Sequence, residues 1–150
     1  MTFASAMTNI GAHLAAAGTA VTPEVLDIAR GAPVSVNAPM IRYWYAGDGS
    51  AVHFGGARTF TDEMVGERVT IAAYWPISDR AVLADLDARI FALKDQIKDR
   101  LLADSQLGGT CDDLDVGGAD VDYPIVNGAQ VAELTIPIVL DFGEAYTIAP

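Results

Sequence analysis

What is scarce in this sequence narrows its chemistry first. Its 150 residues hold one cysteine, Cys111, so no intrachain disulfide forms and the chain suits a reducing compartment. Cys111 has Gly109, Thr110 and Asp112 near it and no Lys, Arg or His close in sequence to activate it, so it reads as a small residue entering a strand. The two histidines, His13 and His53, stand apart from each other and from Cys or carboxylates at ligand spacing, which makes a poor metal site. The sequence contains no Cys-x-x-Cys, His-Glu-x-x-His, Gly-x-Ser-x-Gly or P-loop. The cofactor, metal and nucleophile chemistries that those motifs carry are therefore not expected.

Positive charge is also scarce. Nine basic residues face 20 acidic ones, for a net charge of −11. Neutralising phosphates over a broad face needs clustered Lys and Arg, so this balance disfavours nucleic acid and anionic membrane surfaces alike. No apolar run approaches the roughly 18 residues of a membrane span. Residues 1–23 carry no charged side chain, but they lack the basic start of a secretory signal. They read as an Ala-rich helix packed on the body of the protein.

Hydrophobic residues, in contrast, make up 51% of the chain and charged ones only 19%. That is rich for a soluble monomer, and either a partner or a dense core accounts for it. The length fits a single domain over residues 1–150 that buries roughly two-thirds of its unfolded surface.

Along the chain, residues 4–17 predict a helix stopped by Gly18. A second helix is expected over 23–30, with Thr22 as cap, Pro23 in the first turn, Val25, Leu26, Ile28 and Ala29 on one broad face, and Gly31 as stop. Residues 33–39 are turn-prone, with a short strand at 34–36. Residues 40–46 read as a Tyr- and Trp-rich strand broken by Gly47-Asp48-Gly49-Ser50. Residues 47–66 are read as a flexible loop or arm. A strand at 67–77 follows, with Val69, Ile71, Ala73 and Trp75 on one face and Pro76 marking its end. Ser78 and Asp79 cap a long helix to Ala103. Its face Val82, Leu86, Ile90, Leu93, Ile97 and Leu101 turns to a core, while Asp85 and Arg89 pair outside and Arg100 suits the carboxyl end.

The run Asp112, Asp113, Asp115, Asp120 and Asp122 lacks EF-hand spacing and is read as a solvated loop rather than a Ca²⁺ site. Asn127-Gly128 predicts a type I′ hairpin that sets Val121 opposite Leu134 and Tyr123 opposite Ala132. Even positions from Ala132 to Phe142 are apolar and odd ones mostly polar, which predicts one buried and one open face. Pro124 and Pro137 are expected at an edge or a bulge. The expected fold is α+β: an antiparallel-rich mixed sheet of about four or five strands with helices packed on one face. For recognition, Arg42, Tyr43, Trp44 and Tyr45, with Trp75, are the candidate interface residues, since aromatics and Arg dominate hot spots.

Trp75-Pro76-Ile77 leading into Ser78-Asp79-Arg80, the helix through Phe91-Ala92-Leu93-Lys94 and Leu101-Leu102-Ala103-Asp104, the Leu107-Gly108-Gly109 break, Val121-Asp122-Tyr123 and the apolar strand to Phe142 resemble the tail terminator proteins of long-tailed phages. The resemblance covers residues 67–142. It implies a structural, non-enzymatic subunit that forms a homohexameric ring, caps the tail tube, stops its elongation and provides the surface for head joining. The implied partners are further copies of itself, the tail tube protein and the head-tail connector protein, with DNA passing through the lumen without specific binding and no membrane. The implied location is the head-proximal end of the virion tail, after assembly in the host cytoplasm. A neighbouring head-tail connector or head completion protein shares these traits. A small α+β ligand-binding domain or enzyme built on the aromatic cluster and His53 would instead need a concave pocket with convergent polar groups.

Overall fold

A computed structural model describes residues 2–21, 27–50, 65–77 and 80–142 of the chain. The first helix, α1 (Phe3–Ala20), starts where Thr2 Oγ1 accepts the Ser5 amide at 3.1 Å, a side-chain cap for an orphan donor. Ala6, Met7, Ile10, Leu14 and Ala17 form its buried stripe. Gly18 falls on that stripe and stays helical, so packing rather than the glycine sets where the helix ends.

The helix expected at 23–30 is not formed at its carboxyl half. Asp27–Arg30 is strand β1, paired in parallel with Met40–Tyr43, and residues 22–26 lie outside the described residues. Local helix signals lose here to strand pairing and to Arg42. Its Nη1 donates to the Asp27 carbonyl and its Nη2 to the Asp27 carboxylate, both at 3.0 Å. Residues 34–36 are not a strand either: Val34 is exposed, whereas Val36 tucks against the sheet.

Strand β2 (Met40–Ser50) runs through the glycine-rich stretch expected to break it. The pairing with β3 (Val65–Pro76) slips between Tyr45 and Gly47. Gly47 takes φ 97° there, a left-handed value that glycine adopts without steric cost, and Arg68 Nη2 donates to the Ala46 carbonyl at 2.9 Å. The stretch therefore makes a bulge, and residues 47–50 and 65–66 belong to the sheet. The remainder of the expected arm, residues 51–64 with His53, lies outside the described residues.

Helix α2 (Arg80–Ala103) matches the expected span at its carboxyl end. The capping pair Ser78 and Asp79 and the side chain of Val82 lie outside the description. Leu86, Ile90, Leu93, Ile97 and Leu101 are buried as the spacing requires, and Arg89 Nε meets Asp85 Oδ2 at 3.1 Å. The chain then makes a tight turn at Leu107–Gly109 and enters β4 (Asp113–Val116), β5 (Asp120–Asp122), β6 (Ile125–Val126) and β7 (Ala129–Asp141).

The sheet order is β1-β2-β3-β7-β4, with β5 and β6 also on β7. Among the described strands, β1 and β2 form the one parallel pair. Successive segments β4, β5 and β6 run along one margin of β7, so the described residues form seven strands on five tracks, more strands than the four or five expected, and the α+β class holds. The aspartate run expected as a loop sits largely on β4 and β5. Asn127 and Gly128 adopt φ 51° and 81°, the positive pair a type I′ turn requires, and Val121 lies opposite Leu134. Pro124 falls on the outer track between β5 and β6. Pro137 lies within inner strand β7, but its carbonyl accepts the Gly117 amide at 2.7 Å. Its side without an N–H therefore faces the point where β4 gives way to β5.

Both helices cover one face. Their buried stripes meet Ile41, Tyr43, Val69, Ile71, Trp75, Leu134, Ile136 and Ile138 in one core, and each such aliphatic side chain contributes about 1.5–3 kcal/mol by burial. The other face is not simply open, contrary to the alternation: Val36, Met40, Ala72, Tyr74 and Val131 form a second buried cluster there.

A polar clamp ties α1 to the end of α2. Asn9 Nδ2 donates to the Leu107 carbonyl at 2.7 Å, and His13 Nε2 lies 2.8 Å from Asp104 Oδ2. The Gly108 amide donates to Asp104 Oδ1 at 3.0 Å. That amide first, and His13 second, hold the Asp104 carboxyl below its ordinary pKa of 3.8.

Candidate functional site

The five residues singled out from the sequence are not brought together on one surface. Tyr43 is 7% and Trp75 2% exposed, both inside the main core. Tyr43 sits so close under α1 that a Cβ on Gly11 would stand 2.5 Å from its hydroxyl oxygen. Arg42 turns to the helix-free face and is spent on Asp27, and Trp44 packs beside the second cluster. Tyr45 is half exposed, edge-on to Phe3 at 5.2 Å between centroids, with its hydroxyl donating to Glu67 Oε2 at 2.6 Å. These aromatics stabilise the sheet from both sides, and Tyr45 alone shows a large exposed area.

The exposed apolar surface gathers elsewhere. Phe91 on α2 is 60% exposed; Val121, Tyr123 and Ile125 on the outer track are 48%, 42% and 73% exposed. Phe91 follows Ile90 of the buried stripe by one residue, which rotates it about 100° out of the core. Val121, Tyr123 and Ile125 alternate with Asp120, Asp122 and Pro124, so one side of the outer track is apolar. That alternation, read together with an aromatic off the helix stripe, was the signal in the sequence for this surface.

Between them lies a groove of about 360 Å³, walled by Phe91, Val121 and Tyr123, with Leu134 beneath and Asp87 and Lys94 at its sides. Lys94 Nζ stands 4.0 Å over the Phe91 ring centre and 3.0 Å from Asp95 Oδ1. A second groove, of about 500 Å³, runs between the end of α1 and the middle of α2 and includes Val21, Phe91, Asp95 and Asp99.

Titratable groups elsewhere are engaged structurally. Burial, then the hydrogen bond to and charge of Glu133, push the Tyr74 hydroxyl well up, so it stays neutral. Burial first and the aspartates around it second push the Cys111 thiol up to about 11, which leaves it a poor nucleophile at neutral pH. Among the described residues no group of three His, Cys, Asp or Glu is placed to hold a metal ion, and no helix is long and apolar enough to cross a membrane. The surface is equipped for contact through apolar area, strand edges and negative charge. No family model matches the sequence, and no curated protein matches it.

Proposed function

We propose that this chain is a phage tail terminator, a structural subunit that caps the tail tube, stops its elongation and presents the surface to which the head joins. The observation that carries the reading is the order of the chain from Trp75 to Phe142: strand end, long helix, tight glycine turn, hairpin and apolar strand. Supporting it, the described surface offers unlike patches, as the head-to-tail contacts of a ring require. One is the outer margin of β1, which no described strand pairs. Another is the groove beside Val21 and Asp99 between the helices. The partners on this reading are further copies of the chain, the tail tube protein and the head-tail connector. The place of work is the head-proximal end of the tail, reached from the host cytoplasm.

A net charge of −11 on each subunit gives a ring a strongly negative field. Acidic side chains along the lumen would repel DNA and let it slide through without specific binding. A lumen lined by Lys and Arg would contradict this.

The test is assembly. Light scattering behind size exclusion, over a concentration series, should give six times the subunit mass of 15.8 kDa, alone or once tail tubes are added. Added to polymerising tail tube protein, the chain should shorten the tubes and sit at one end. A chain that stays monomeric with tubes present sinks the proposal, and sedimentation with portal-bearing heads instead assigns it to the connector.

A further inference from the structure

We propose that the groove between α2 and the β5–β6 margin takes an extended segment of a different protein, one that alternates apolar with basic side chains. The inference does not rest on the tail-terminator reading. Phe91 on α2 and Val121 and Tyr123 on the strand side wall the groove and are 42–60% exposed, with exposed Ile125 further along the outer track; exposed apolar groups gathered in this way mark interaction surfaces. The margin is also a strand edge: β5 pairs β7 on one side and no described strand on the other. An extended chain can therefore add backbone hydrogen bonds at Val121, the β5 residue whose amide and carbonyl turn away from β7, while every second side chain enters the groove beside it.

Charge decides which chain fits. Asp120 and Asp122 flank Val121 on the strand, and Asp87 stands at the groove wall. The basic residue there, Lys94, is already held by Asp95 and the Phe91 ring. An occupant carrying Lys or Arg between its apolar residues meets this field favourably. A second copy fits worse. Two β5 margins paired with each other would set Asp120 and Asp122 against like charges, which is destabilising across strands. The β1 margin of a second copy brings Asp27 along with Arg30.

The full chain is titrated against a fluorescent peptide of about six residues alternating lysine with valine and phenylalanine, with anisotropy as the readout. The control peptide has glutamate in place of lysine. Saturable one-to-one binding is expected for the basic peptide and none for the control. Phe91→Ala and Tyr123→Ala change no charge, and each should weaken binding about tenfold with an unchanged thermal melt. Asp120→Asn with Asp122→Asn should flatten the salt dependence. Equal binding in Phe91→Ala and Tyr123→Ala would mean diffuse charge attraction and overturn the proposal, as would binding of the control peptide or no binding at all. Loss of oligomer mass in Tyr123→Ala, a residue of this groove and not of the one between the helices, without peptide binding to the parent, would give the groove to a second copy and equally overturn it.

Discussion

At the scale of single residues, Gly66 is the position among the described glycines where one methyl group matters most. A Cβ there would overlap the carbonyl oxygen of Leu140 on the neighbouring strand, a backbone atom that cannot swing aside. Alanine normally gains about 0.5–1 kcal/mol over glycine inside a strand. Gly66→Ala should reverse that and cost about 1–3 kcal/mol, because β3 and β7 must separate locally. Urea unfolding of the variant checks it; equal or greater stability would show that the two strands part without penalty. Cys111 and Tyr74 make the opposite point: both are titratable, and burial keeps both neutral.

At the scale of elements, the clamp at the end of α2 carries a pH dependence with a definite sign. Asp104 is held below 3.8 in the folded chain, so its contribution is fully present above the unfolded pKa and fades as pH falls through the folded value. Asp104→Asn should remove that part of the acid destabilisation, seen as a shallower loss of unfolding free energy below about pH 4. An unchanged acid limb would mean the carboxylate is not coupled to folding. Elements with strong local signals were legible in the sequence: the stripe from Leu86 to Leu101, the Asn127-Gly128 turn and the even-numbered apolar residues of β7. Three others were not, because distant partners decided them. Asp27–Arg30 became a strand through Arg42 and Met40–Tyr43, Gly18 stayed helical through packing, and the 47–50 stretch bulged rather than stopped because β3 runs beside it.

At the scale of the whole molecule, the same logic explains where the sequence-based interface candidates fall. An Arg-Tyr-Trp-Tyr run looks like a binding cluster in isolation, yet a five-track sheet with helices on one face draws Tyr43 and Trp75 inward. Phe91 is distant in sequence from Val121 and Tyr123, and the three wall one groove only after β5 lies along β7. That strand is the hinge of the architecture: it pairs β3 on one side and β4, β5 and β6 in turn on the other. Until it arrives, β3 presents an unpaired edge in which residues 69–75 carry no charge and are rich in β-branched and aromatic side chains. Such an edge recruits other chains as readily as its proper partner, and a pairing as distant as Trp75 with Ala132 forms slowly. Recovery of native protein on dilution from denaturant should therefore fall as protein concentration rises. Thr70→Lys, on the helix-free side of β3, should raise it by placing a charge in the vulnerable run. A yield independent of concentration would show that the sheet closes before neighbouring chains meet. The strand that completes the molecule thus also sets how crowded a solution it can be made in.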